Sequence, residues 1–573
     1  MKLTRSSFRP PALAAMAAAL GWLVAAPLPA NAAADLSPVA AVKSCADLAS
    51  VDLADIGGAG SKVTSATEID GNGRSFCAVE GTLSPSIGFR VELPETGWTQ
   101  RYLQVGCGGL CGMINLDVGA ADGCLPVTQG DFVVATTDMG HQGMDPSFGR
   151  DPQKRVDFAY RGVHLTSLAA RKLIAAFYGQ AEQRAYFTGC SDGGREAVME
   201  ALRYPDDFDG IAAGAPAMLF QFQNSLHHAW LALGNTGVDG KPIVTAPRLS
   251  ILHKAVVAAC DGLDGLVDGL ISDPRLCHFD PKTIECSAGA ADTSACLTPT
   301  EVAAVTKFYE GPVDPTTGIH LTVGEEQYGS ELAWAGVFVP QTADQPIFSS
   351  MIALGALQNL IFAEDPPADY ALTDLTFDAA TVDLLKARHP LFDATSPDLK
   401  PFADKGGKLI LWHGWADPHI SPLTTIAFHE TLLKEMGEAA VAGFERLYLL
   451  PGVYHCGNGE GMASVDLLTP LMDWVEDGTA PEAVTTRTAT DGDNSFGLPT
   501  AQKKERPAAA PAVPAEPPIT RERPVYPYPA LARFIGGDPD AAASYVKGEP
   551  LHTAPTAAWA GEDFFKPYQP AAE

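Results

Sequence analysis

Arg184-Ala185-Tyr186-Phe187-Thr188-Gly189-Cys190-Ser191-Asp192-Gly193-Gly194-Arg195-Glu196 decides how the chain is read. Its middle is G-x-S-x-G, and no other serine has glycine at both −2 and +2. Residues 184–188 are short, aromatic and β-like. Residues 195–202 are mostly helix formers with apolar positions three to four apart. Strand, tight glycine turn and helix together form a nucleophile elbow. The turn is strained, so glycine is needed where a Cβ would clash. The helix N-terminus behind the serine favours negative charge developing on a substrate. An isolated G-x-S-x-G also fits an ordinary glycine-rich turn; the flanking elements favour the elbow.

A serine nucleophile needs a base, and the base an orienting acid. On this fold they follow in the order Ser, Asp or Glu, His, in loops after late strands. After Leu409-Ile410-Leu411-Trp412 comes His413-Gly414-Trp415-Ala416-Asp417. After Leu447-Tyr448-Leu449-Leu450 comes Pro451-Gly452-Val453-Tyr454-His455-Cys456. Asp417 and His455 are therefore the candidate acid and base. Each alone reads as an ordinary loop residue. However, Cys190 precedes Ser191 and Cys456 follows His455. If those cysteines pair, their Cα atoms lie roughly 5.5–6 Å apart and serine and histidine are forced together. Upstream, Tyr102-Leu103-Gln104-Val105 runs into Gly106-Cys107-Gly108-Gly109. A glycine loop there supplies the second oxyanion donor, from Gly108 or Gly109, beside the N–H of Asp192.

The chain has 573 residues, 46% hydrophobic and 19% charged, with a formal net charge of −30. The length allows a large core with a sizeable insertion. The acidity argues against nucleic acid or an anionic membrane as partner. Residues 1–32 read as a signal peptide: Lys2, Arg5 and Arg9, an apolar run, then Ala30-Asn31-Ala32. The expected location is secreted or periplasmic after cleavage near Ala32. Eleven cysteines in an exported chain read as disulfides with one left over. Cys260 with Cys277 and Cys286 with Cys296 are suggestive close pairs, and Cys45 with Cys77 would staple the N-terminal region; spacing does not fix connectivity.

Alternating strand and helix signals predict an α/β class with a parallel sheet, specifically an α/β-hydrolase fold with a large inserted lid domain. Strand-like runs cover 76–83, 87–94, 102–105 and 132–137, followed by a helix over 162–178. The expected division is signal peptide 1–32, first core part 33–217, lid 218–399, second core part 400–500, a Pro/Ala-rich connector 501–523 and a C-terminal segment 524–573 docking on the core. Within the lid, Asp261, Asp264 and Asp268 recur in a glycine-interrupted loop. Hard oxygen ligands at this spacing suit Ca²⁺, with carbonyls of Leu266 and Leu270 added. A solvated acidic turn is the simpler reading. No organic cofactor is expected.

These motifs resemble the tannase and feruloyl esterase family, secreted α/β-hydrolases that include mono(2-hydroxyethyl) terephthalate hydrolase. The resemblance rests on Gly189–Glu196, on Ala259-Cys260-Asp261-Gly262-Leu263-Asp264-Gly265, on His413–Asp417 and on His455-Cys456. It implies the triad Ser191, Asp417 and His455, and a Cys190–Cys456 bridge. It also implies calcium at Asp261, Asp264, Leu266, Asp268 and Leu270. The bridges Cys45–Cys77, Cys260–Cys277 and Cys286–Cys296 are implied as well. Cys107, Cys111 and Cys124 are extra. We expect Cys111 to pair with Cys124, with Cys107 the other available partner, and a free thiol beside the oxyanion loop. The expected activity is hydrolysis of hydroxycinnamate or gallate esters, with lid side chains such as Trp334 and Phe338 over the acyl ring. A terephthalate monoester suits the site less. Its carboxylate favours a bidentate arginine, and between Arg275 and Arg388 there is none. Peptide cleavage and a catalytically silent binding protein are the competing classes. No nucleic acid or membrane partner is expected.

Overall fold

The computed structural model describes residues 36–71, 73–488, 521–550, 552 and 554–571. The signal peptide expected at 1–32 and the connector at 501–520 lie outside the described residues. The end of that connector is not a linker: Glu522–Val525 is a strand paired antiparallel with Val484–Arg487.

The centre of the fold is a nine-stranded sheet: β1 (Lys62–Gly71), β2 (Arg74–Leu83), β3 (Ile87–Pro94), β4 (Arg101–Val105), β5 (Phe132–Thr137), β6 (Arg184–Cys190), β7 (Gly210–Gly214), β8 (Lys408–Gly414) and β9 (Glu445–Leu450). The spatial order is β1-β2-β3-β5-β4-β6-β7-β8-β9. β1 to β3 form an antiparallel meander, and β3 meets β5 antiparallel. From β5 to β9 every neighbour is parallel. β1 has no clear signal in the sequence, because its Lys, Thr, Ser and Glu residues are largely exposed and leave no apolar alternation to read.

Side chains along the parallel strands alternate between two apolar layers, as the period of two requires. Tyr102, Phe187, Ile211, Leu409, Leu411 and Leu447 face one layer, with the helices Gly162–Tyr178, Asp192–Arg203 and Pro422–Met436. Leu103, Tyr186, Ala212, Ile410, Trp412 and Tyr448 face the other, under the helix Leu468–Asp477. This is an α/β-hydrolase sandwich.

Residues 218–399 enter between β7 and β8 and contain helices and loops but no strand of the sheet. They share one compact unit with the rest of 36–573, and their core is continuous with the first layer. Trp559, Phe564 and Phe565 of the C-terminal segment pack into that same layer, with Trp559 and Phe564 edge-on to Phe222. Among the described residues, no helix is long and apolar enough to cross a membrane.

Candidate active site

The residues singled out from sequence converge beyond the C-terminal ends of β4, β6, β8 and β9, the edge where open parallel sheets place ligands. Ser191 follows β6 with φ +66° and ψ −122°, a strained conformation for a residue with a side chain. It is held there by Ser191 N–H donating to the Gly214 carbonyl at 3.0 Å, while its own carbonyl accepts from Ala217 N–H at 2.9 Å. The glycines are dictated by contact. A Cβ on Gly189 would lie 2.4 Å from the Gly193 carbonyl oxygen, and one on Gly194 would lie 2.3 Å from that of Gly214.

Asp417 and His455 meet as expected. His455 Nδ1 lies 2.7 Å from Asp417 Oδ2. Facing a carboxylate, Nδ1 carries the proton, which leaves Nε2 unprotonated and able to act as a base. The other carboxylate oxygen accepts the amides of His419 and Ile420 at 2.8 and 3.1 Å. His413 Nε2, 3.0 Å from Asp417 Oδ2 and from the Ile420 carbonyl, faces two acceptors and is therefore a donor too. Burial alone would raise the Asp417 carboxyl. The His455 charge and the hydrogen bonds from His413 and His455 outweigh it and hold the group well below the ordinary carboxylate range. In sequence His413 is only part of a motif; its role emerges from the four-residue return to Asp417.

The Cys190–Cys456 disulfide is present, with Cα atoms 5.9 Å apart across 266 residues of chain. Ser191 and His455 line one cavity of about 270 Å³. Asp192, Gly109 and Leu110 also line it, whereas Gly108 does not. Of the two glycines expected to face an oxyanion, Gly109 is thus the one on the cavity. Arg195, fully buried, clamps Asp192 with Nε and Nη2 at 2.7 and 3.0 Å and ties it to the carbonyls of Ala159 and Phe158.

The cysteine expectation needs correcting. Cys107 pairs with Cys111, and Cys124 is the free, buried thiol. Cys111 belongs to the apolar layer on one face of the sheet and Cys124 to the layer on the other, so the expected Cys111–Cys124 bridge has the sheet in its way. The short bridge closes the glycine loop after β4 on itself. Glu196 Oε1 lies 2.7 Å from Cys107 Sγ and 3.3 Å from Cys111 Sγ. Burial, then the Asp192 charge, pushes its carboxyl well up. Because the two sulfurs are bonded to each other, this group offers no thiolate to a metal. Cys45–Cys77, Cys260–Cys277 and Cys286–Cys296 form as expected.

Trp334 and Phe338 also need correcting. Both are fully buried and pack on Phe308 and on each other rather than on the cavity. The cavity walls are Phe220, Phe348, Met351, Ile352, Met144 and Pro146. Phe348 and Met351 are exposed apolar residues, 41% and 53% accessible, at its edge. Prominent aromatic residues in the sequence fill the core; the cavity uses less conspicuous ones.

The acidic loop is closed by its own backbone. Asp261 accepts the amides of Asp268 and Gly269 at 3.1 and 2.9 Å, and Asp264 accepts that of Leu266 at 2.9 Å. Arg523 pairs with Asp268, and Arg521 Nη2 stands 3.6 Å from it. Burial, then the nearby Asp268 charge, raises the Asp264 carboxyl.

The family profile described as tannase and feruloyl esterase matches residues 68–547. The chain belongs to that family. Its members are esterases, and this one is a carboxylic ester hydrolase. The mono(2-hydroxyethyl) terephthalate hydrolase of Piscinibacter sakaiensis is 31% identical over 540 residues, covering 83% of this chain and 85% of that protein. A probable feruloyl esterase B-1 of Neosartorya fischeri is 32% identical over 432 residues, covering 71% and 78%. Among solved structures, feruloyl esterase B from Aspergillus oryzae superposes with a TM-score of 0.72 at 24% identity, covering 88% of this family member and 100% of that chain. Tannin acyl hydrolase from Aspergillus niger gives 0.63 at 20% identity, covering 89% and 92%. Both confirm the fold.

Proposed function

We propose that this family member is an exported serine esterase for uncharged esters of aromatic acids, of the hydroxycinnamate or gallate type. The observation that carries the reading is the Asp417–His455 couple tied by the Cys190–Cys456 bridge to Ser191, at the wall of an apolar cavity. Ser191 Oγ attacks the ester carbonyl as His455 Nε2 takes its proton. Asp417 holds the tautomer and stabilises the imidazolium. The N–H groups of Asp192 and Gly109 receive the oxyanion. His455 then protonates the departing alkoxide, and water, deprotonated by His455, releases the acid from Ser191.

Among the described residues, the cavity lining contains no arginine or lysine. A substrate with a free carboxylate would enter an apolar, uncompensated environment, which favours neutral acyl rings over the terephthalate monoester. The relative that hydrolyses that monoester makes the contrast worth measuring.

Calcium in the acidic loop is a structural part of the same proposal. The chemistry of the donor set suits calcium, three carboxylates with flanking carbonyls, but here their oxygens are engaged by the loop's own amides, by Ser272 and by Arg523, and would have to turn to a common ion. Asp261, Asp264, Asp268 and the carbonyls of Leu266 and Leu270 would hold the ion, which supplies charge neutralisation and cross-linking, away from the chemistry. Export rests on the N-terminal signal and agrees with five disulfides among the described residues.

The test is hydrolysis of methyl ferulate, methyl gallate, chlorogenate and mono(2-hydroxyethyl) terephthalate by the parent and Ser191→Ala. The parent should favour the neutral esters. Ser191→Ala should lose on the order of 10⁶-fold in kcat. Comparable turnover of the terephthalate monoester would overturn the substrate reading. A parent with no activity to lose would indicate a silent binding protein.

A further inference from the structure

Beside His455 the cavity carries two more imidazoles. His419 lies with its ring centroid 5.0 Å from that of His455, and His228 lies 5.6 Å beyond His419. Both line the cavity, and both are at least 94% buried. His228 Nδ1 is engaged by the Ser349 hydroxyl at 2.9 Å. The His419 ring is different. Its backbone amide binds Asp417, but its buried Nε2 has no hydrogen-bond partner among the described residues. Buried polar atoms are rarely left so; the ring that carries this one lines the cavity, and a turn of the imidazole brings the nitrogen to what binds there.

The chemistry of that ligand group follows from the surroundings. Burial, then the charge of His455, depresses the His419 imidazole to about 3, so it stays neutral. Burial and the charges of its histidine neighbours depress His228 as well. A neutral imidazole has one donor and one acceptor, and a hydroxyl matches both. A carboxylate only accepts and calls for a cation. Every other wall of the cavity is apolar or uncharged apart from Asp192, which Arg195 already engages.

We infer that His419, supported by His228, is a specificity-determining residue that hydrogen-bonds a hydroxyl of the ester. This rests on the esterase reading above and deepens it. Two positions on a substrate offer such a hydroxyl: the aromatic ring of the acid, and the alcohol that leaves past His455. Methyl 4-hydroxybenzoate and methyl 3,4-dihydroxybenzoate test the ring, 2-hydroxyethyl benzoate tests the alcohol, and methyl benzoate is the common reference.

The experiment compares kcat/KM for these four esters in the parent, His419→Phe and His419→Gln, with circular dichroism melting as the folding control. The parent should prefer one class of hydroxylated ester over methyl benzoate by about tenfold, the worth of one well-placed polar contact. His419→Phe should bring that ratio close to one, mainly through KM. His419→Gln, which keeps a donor and an acceptor, should retain much of it. If His419→Phe fails to fold, His419→Ala gives the same ratio. A preference unchanged in the Phe or Ala variant, or a parent indifferent to hydroxylation, overturns the inference. The esterase reading fails differently: no ester is hydrolysed, or Ser191→Ala loses nothing.

Discussion

Two glycine-rich loops in this chain look alike in sequence and are built for opposite reasons. In each a cysteine directly precedes the first candidate oxygen: Cys190 before Ser191, Cys260 before Asp261. In each that cysteine is bridged, across 266 residues in the first case and 17 in the second. The elbow glycines are required by contact, because backbone atoms occupy the space a side chain would need. At Gly265 of the acidic loop, with φ +92°, no atom lies within 4 Å of where a Cβ would stand; only the backbone angle demands glycine. Gly262 has neither restriction, its nearest neighbour being Val267 at 3.5 Å. The first loop is locked by packing against β7 and the glycine loop after β4. The second is closed by hydrogen bonds to its own aspartates and opens toward solvent.

That contrast predicts a ranking. Removing the long bridge with Cys190→Ala/Cys456→Ala should cost the most, about 5–6 kcal/mol by loop-closure entropy, and should lower kcat as His455 loses its tether to the elbow. Denaturant melts and esterase rates read both. A double variant as active and as stable as the parent would reduce the bridge to decoration. Gly194→Ala comes next, with a destabilisation near the upper end of about 1–3 kcal/mol and at least about 100-fold loss of kcat/KM from a displaced serine. Stripping divalent cations with EGTA should then remove about 2.7 kcal/mol if the loop holds calcium at a hundredfold above its Kd, with little change in kcat of the surviving enzyme. An unmoved melting temperature would leave the loop to Arg523 and its backbone alone. The smallest effects should separate within the acidic loop itself. Gly265→Ala should cost about 1–2 kcal/mol for the left-handed angle, whereas Gly262→Ala should stay within about 0.5 kcal/mol. Equal costs at 262 and 265 would break the distinction.

The order of legibility follows the same division. Ser191, Asp417 and His455 are readable because each follows a strand whose apolar run is conspicuous, and because the flanking cysteines link two loops 266 residues apart. β1 is not readable, since an exposed edge strand has no buried face to leave a pattern. The lining of the cavity is not readable either. Trp334 and Phe338 are prominent aromatics of their region, but large apolar side chains are as useful to a core as to a pocket, and here the core took them.

The sequence by itself therefore determined the class of fold and the candidate nucleophile with its partners, because these depend on local periodicity, turn chemistry and paired landmarks. Its family motifs also carried four of the five disulfides. Tertiary structure alone decided the rest. It put Cys111 and Cys124 on opposite faces of the sheet and left Cys107 as the partner within reach. It brought His413 back onto Asp417, and it stood His228 and His419 beside His455 with one buried nitrogen unpaired. Those outcomes turn on which side of a sheet a residue faces and on contacts between segments far apart in the chain, and no local pattern encodes either.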